Sequence, residues 1–102
     1  MAQHRGEVYA YIPVLPRPGQ SLLRLIVSAD ALNDSSIPVT LGVQVVDHDP
    51  GSLLSVHLDG HGWAVVTTIE QVMKRRLGDL AGNISTDEQR AVDNALRAAL
   101  EL

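Results

Sequence analysis

The sequence predicts an α+β fold, mainly β: an antiparallel sheet or small barrel of about five to seven strands, with a C-terminal helix packed on it. Three observations carry this reading. Short apolar runs recur over residues 7–68, separated by Pro, Gly, Asp and Ser. The second and third runs are joined by only ten residues, 29–38, and a parallel crossover needs a dozen or more, so these strands are antiparallel if they are neighbours. Residues 85–102 then change to apolar spacings of three and four behind a capping signal. With 102 residues, 45% of them hydrophobic, the chain suits one domain, residues 1–102, with one modest core.

The elements follow in order. "EVYAYIPV", 7–14, alternates as a strand, with Val8, Ala10 and Ile12 on one face and Tyr9 and Tyr11 on the other. "LPRPGQS" breaks it, because two prolines and a glycine in seven residues cannot continue a ladder. "LLRLIVS", 22–28, is the second strand, "ADALNDSSIP" a connection with room for one helical turn, and "VTLGVQVVDH", 39–48, the third strand. "DPGS" turns the chain into "LLSVHLD", and "GHG" turns it into "WAVVTT". "IEQVMKRRL", 69–77, reads either as helix or as strand and turn. At the C-terminus Ser85 and Glu88 have the spacing of a capping box, and Ala91, Val92, Ala95, Leu96, Ala99 and Leu102 form the apolar stripe.

Composition narrows the function classes. Cysteine is absent, which removes disulfides and thiolate metal sites and fits a cytoplasmic protein. Residues 1–19 carry charges and prolines where a signal peptide needs an apolar core, and no apolar run reaches the roughly 18 residues of a membrane span. The formal charge of −4 argues against holding nucleic acid by bulk electrostatics, so an RNA or DNA site has to be local. Asp87, Glu88, Asp93 and Glu101 gather at the C-terminus while Arg5, Arg17, Arg24 and "KRR" at 74–76 lie elsewhere, which leaves room for a basic patch.

Five pieces together suggest a family: "RGEVYAYI" at 5–12, the apolar run into "ADALNDSSIP" at 29–38, "KRRLG" at 74–78, "GNIS" at 82–85 and "VDNALRAALEL" at 92–102. In order and nearly in spacing the chain resembles the MazF/PemK toxins of bacterial type II toxin–antitoxin modules, which are related in fold to CcdB. The resemblance implies an SH3-like barrel, a homodimer, a cognate antitoxin, and metal-independent, sequence-selective cleavage of single-stranded RNA with no cofactor. In that chemistry a ribose 2′-OH attacks the adjacent phosphorus, so a base takes its proton, an acid protonates the leaving oxygen and a cation holds the phosphate.

Registering the resemblance on "ADALN" places the family's arginine and proline on Leu22 and Leu23, and its threonine and serine on Val46 and Asp47. Where the family commonly has Asp-Gln-hydrophobic-Arg ahead of "KRRLG", this chain has Thr67, Thr68, Ile69 and Glu70, and the loop between the first two strands is about three residues shorter. Arg24 and His48, each two residues beyond a lost position, are the candidate catalytic substitutes. On antiparallel strands, however, those two shifts move the residues apart by roughly 13 Å. The competing reading of Arg24 is a strand arginine whose stem covers apolar surface. For His48 it is a turn histidine flanked by carboxylates.

Arg17, Arg24 and Lys74 are the candidate RNA contacts, with Arg75 and Arg76 alongside; the alternative for the "KRR" run is a solvated charged face. His57 and His61 have His-x3-His spacing, which marks a metal site chiefly on a helix; here glycines flank His61 and both read as loop histidines, so no metal site is assigned. Trp63 either stacks on a base or serves the core or a dimer interface. Two functions follow from different classes. One is a MazF-like mRNA interferase with impaired or altered activity. The other is a non-catalytic member of the fold that dimerises and binds an antitoxin or another target, as CcdB-like gyrase poisons do.

Overall fold

Turn residues divide the apolar runs as expected in the computed structural model, which describes residues 3–15, 17–19 and 21–102. Pro16 and Gln20 of the predicted first loop lie outside the described residues, as do Met1 and Ala2. The strands are β1 (Glu7–Tyr11), β2 (Leu23–Ile26), β3 (Val39–Val46), β4 (Ser55–Leu58), β5 (Gly62–Met73) and β6 (Leu77–Asn83). Helix α1 is a single turn, Asp30–Asn33, and α2 is Thr86–Leu100. β1 stops short of Val14: Ile12 still donates to the Arg76 carbonyl at 2.8 Å, but Pro13 has no N–H to follow it.

The segment left open, 69–77, continues β5 to Met73 and ends in a 3₁₀ turn over Lys74–Arg76. β6 then carries no apolar alternation, since LGDLAGN is almost wholly exposed. Its backbone pairing with β1 makes it a strand. All ladders are antiparallel, in the order β4-β5-β3-β2-β1-β6.

This sheet is open, which corrects the expected SH3-like barrel. Among the described residues β4 and β6 are the two edges and share no ladder. Closure fails because β4 is four residues long and the chain just beyond it bonds to the helix instead of to β6. The Asp59 N–H donates to Glu88 Oε2 at 2.5 Å. In the turn beyond β4 the His61 ring stands over Gly82 of β6, with Cε1 2.8 Å from where a Gly82 Cβ would sit.

Helix α2 covers one face of the sheet. Val8, Leu25, Val27, Val43, Val45, Leu58, Ala64 and Val66 form the core with Val92, and Ala95 and Leu96 pack against it. Ala91 and Ala99 of the predicted stripe are exposed, as is Leu102. The capping box is complete: Glu88 N donates to Ser85 Oγ at 3.1 Å and Ser85 N to Glu88 Oε1 at 2.7 Å. A buried polar knot holds the α1 turn of "ADALN" against β2 and β3. Asn33 Nδ2 donates to the Ser28 carbonyl at 3.0 Å, Ser28 Oγ to Asn33 Oδ1 at 2.5 Å, and Thr40 Oγ1 to the same Asn33 oxygen. No helix among the described residues is long and apolar enough to cross a membrane.

Candidate active site at the ends of β2 and β3

Directly opposed residues share a face of a sheet, so the ladders line up rows on the face turned away from α2. One row is Tyr9, Arg24, Gln44, Val65 and Ser55. The next holds Val46, Trp63 and His57. Extending the pairing of Leu23 with Val45 by one step sets Leu22 beside Val46. The two positions singled out by the resemblance are therefore neighbours, at the start of β2 and the end of β3.

Arg24 sits one row away and points elsewhere. Its side chain is 3% exposed, with Nε donating to Glu70 Oε1 at 2.9 Å. Nη1 donates to the carbonyls of Ser21 at 3.1 Å and Leu23 at 2.8 Å, the two that bracket Leu22. The guanidinium lies 4.0 Å from the centroid of the Tyr11 ring, a cation–π contact. Glu70 reaches it because β3 carries Gly42 opposite: a Cβ there would stand 3.1 Å from Val72 Cγ2 and 3.7 Å from Arg24 Cβ. Thr68, in the same divergent segment, fills the bulge beside it by accepting from Gln44 N at 2.8 Å and donating to the Val65 carbonyl at 2.6 Å.

A cleft of about 390 Å³ opens at Leu22 and Val46, walled also by Gly19, Ser21, Leu23, Val45, Asp47, His48 and His61. Ser21 Oγ donates to the Val45 carbonyl at 2.5 Å, tying the two strand ends together. His48 is exposed, and its Nδ1 lies 2.9 Å from Asp47 Oδ1. That hydrogen bond, then the charge of His48, holds the Asp47 carboxyl below its ordinary pKa. His48 and Arg24 are not brought together: Arg24 faces Gln44, four residues before His48, or about 13 Å of extended chain.

His61, read from sequence as a loop histidine, lines the same cleft as His48. Its place depends on Gly62, whose φ is +114° and whose missing Cβ would fall on the Val46 carbonyl oxygen. The paired glycines around His61 were the only sequence signal for this close approach. Burial works to raise the Glu88 pKa, but N–H bonds from Ser85 and Asp59, the Ser85 hydroxyl and the charge of His61 hold it below the usual value.

The remaining candidates are dispersed. Arg17 is exposed and lines a second groove of about 500 Å³ with Tyr11, Val14, Leu15 and Gln44. Lys74 Nζ donates to the carbonyls of Ser35 at 2.8 Å and Leu32 at 3.3 Å, closing the end of α1. Arg75 is exposed, and Arg76 Nη1 donates to the Ile12 carbonyl at 3.4 Å. The Trp63 and His57 rings pack at 4.7 Å between centroids, tilted by 52°. Among the described residues no three His, Cys, Asp or Glu side chains are grouped to hold a metal ion.

The molecule is thus a six-stranded open sheet backed by a capped helix, with a small cleft of apolar and titratable side chains where β2 and β3 meet. The family described as PemK-like, MazF-like toxin of type II toxin–antitoxin system matches residues 5–100, and the chain belongs to it. In structure it is similar to an endoribonuclease in complex with its cognate antitoxin from a mycobacterial species, at 25% identity over 99% of this chain and 97% of that one, TM-score 0.83. A mycobacterial endoribonuclease is similar at 24% identity over 100% of this chain and 94% of that chain, TM-score 0.83. MazF from Deinococcus radiodurans shares the fold at 17% identity over 100% and 99%, TM-score 0.79. No curated protein matches the chain by sequence.

Proposed function

We propose that this toxin is a MazF-like mRNA interferase of impaired or altered activity, cutting single-stranded RNA without a metal, as a homodimer restrained by a cognate antitoxin. The observation that carries the reading is the cleft at Leu22 and Val46, where the resemblance puts the reacting groups and where titratable side chains still gather. The likeness to an endoribonuclease held by its antitoxin supports both the reaction and the partner. Within this reading His48 is the catalytic candidate that reaches the cleft. Arg24 is a positioning residue, fixing the carbonyls on either side of Leu22. Arg17, beside Tyr11, contacts phosphate, and Lys74 supports the α1 turn more than it meets RNA.

A reduced rate follows from the apolar character of Leu22 and Val46, because losing one charge-stabilising donor costs about 10²- to 10³-fold. The same observation favours a second reading, a non-catalytic toxin that binds its target. A long RNA of varied sequence, incubated with the purified protein in EDTA, separates them. Slow cleavage at a short motif is expected; intact RNA at stoichiometric protein leaves the binding reading. Light scattering at micromolar concentration tests the dimer, and a monomer would remove it from the proposal.

A further inference from the structure

We propose that His61 and His48 form an acid and base pair across the cleft at Leu22 and Val46, an inference that rests on the endoribonuclease reading and assigns its proton transfers. Among the described residues lining this cleft, only Asp47, His48 and His61 carry titratable side chains. No lysine, arginine or tyrosine is among them, and Arg24 is bound to Glu70 and to the Ser21 and Leu23 carbonyls. Metal-independent cleavage of RNA needs a base for the 2′-OH, an acid for the 5′-oxygen and positive charge beside the phosphate. Imidazole is the side chain that takes and gives protons near neutral pH, and in its protonated form it also supplies the charge. The cleft's roughly 390 Å³ lies within the ~300–1,000 Å³ of small-ligand sites.

The surroundings divide the roles. Asp47 accepts from His48 Nδ1, which leaves Nε2 as the nitrogen free to take a proton, in the manner of a carboxylate-oriented histidine. His61 stands in the turn before β5 with its ring over Gly82, on another strand end from His48, and takes the complementary role of the acid. The carboxylates near the pair are Asp47, in contact with His48, and Glu88 on α2, which accepts from the Asp59 N–H two residues before His61. His48 Nε2 takes the 2′-OH proton as O2′ bonds to phosphorus; the P–O5′ bond breaks, and protonated His61 gives its proton to O5′. The products are a 2′,3′-cyclic phosphate and a 5′-hydroxyl, and water returns the proton from His48 to His61.

A substrate with a single 5′-bridging sulfur in place of O5′ tests the assignment, because a thiolate leaves without being protonated. The unmodified chain, His61→Ala, His61→Gln and His48→Ala are compared on ordinary and sulfur-bridged linkages. We expect His61→Ala and His61→Gln to slow the ordinary linkage by about 10²- to 10⁴-fold, and to cut the bridged linkage at close to the unmodified rate. His48→Ala should be slow on both. Ordinary cleavage retained by the His61 variants, or no rescue by sulfur, overturns the pair alone. An unmodified chain that cuts neither linkage overturns the endoribonuclease reading and the pair with it.

Discussion

Arg24 and Glu70 form a one-sided ion pair: Nε lies 2.9 Å from Oε1, yet the arginine side chain is 3% exposed and the glutamate 41%. The arginine is therefore the partner with more to lose. A cation inside a sheet needs its charge met locally, and here the meeting groups come from three strands: the Glu70 carboxylate, the Tyr11 ring and the carbonyls next to Leu22.

Removing the carboxylate should expose this dependence. Glu70→Gln is expected to destabilise the fold by about 1.5 to 3 kcal/mol, the range for a hydrogen bond to a charged group. Arg24→Met added to Glu70→Gln should recover much of the loss, because the unmet charge goes with it. Urea unfolding of the two variants and the unmodified chain decides this; an unchanged midpoint in Glu70→Gln would mean that the pair does not form in solution.

Ser85→Ala removes the hydroxyl that accepts from Glu88 N at 3.1 Å. The cost should be about 0.5 to 2 kcal/mol, since one N–H of the first helical turn loses its partner. Thermal unfolding followed by circular dichroism measures it. A melting temperature equal to that of the unmodified chain would show that the box contributes nothing.

Glu88 links stability to pH. Its folded pKa lies below its usual value, so its stabilising contribution is complete above that value and is lost as pH falls through the folded pKa. Glu88→Gln should accordingly be less stable than the unmodified chain at neutral pH and lose less on acidification. Urea midpoints at about pH 7 and about pH 3 give the comparison, and parallel losses in the two proteins would exclude Glu88 as a source of acid sensitivity.

Gly62→Ala places a Cβ on the Val46 carbonyl in a backbone at φ +114°. About 1 to 3 kcal/mol of strain is expected, relieved only by moving β5 away from β3. Gly60→Ala is the control. Its φ of +77° is also left-handed, but nothing lies within 4 Å of the added carbon, so it should cost less. Equal losses in the two variants would show that the contact with Val46 is immaterial.

Much of the fold was legible because it is local. Pro13, the Asp-Pro-Gly turn at 49–51 and the glycines around His61 punctuate the strands wherever the chain is, and Ser85 and Glu88 cap α2 with groups four residues apart or fewer. Segment 69–73 stayed open because its residues suit helix and strand alike, and its ladder to β3 resolves it. β6 gave no pattern at all: its side chains are almost wholly exposed, so only the distant backbone of β1 makes it a strand.

The sequence by itself determined the order of the first five strands, the capped helix and the family, because these rest on spacing, turn chemistry and order along the chain. It also marked Leu22 and Val46 as the positions where the resemblance departs from its family. Only the tertiary structure decided that the sheet stays open, that Arg24 is held by Glu70 and Tyr11, and that His61 joins His48 in one cleft. Each of these depends on which residues meet across a dozen or more positions. Strand register and helix packing settle that, and a short stretch of sequence contains neither.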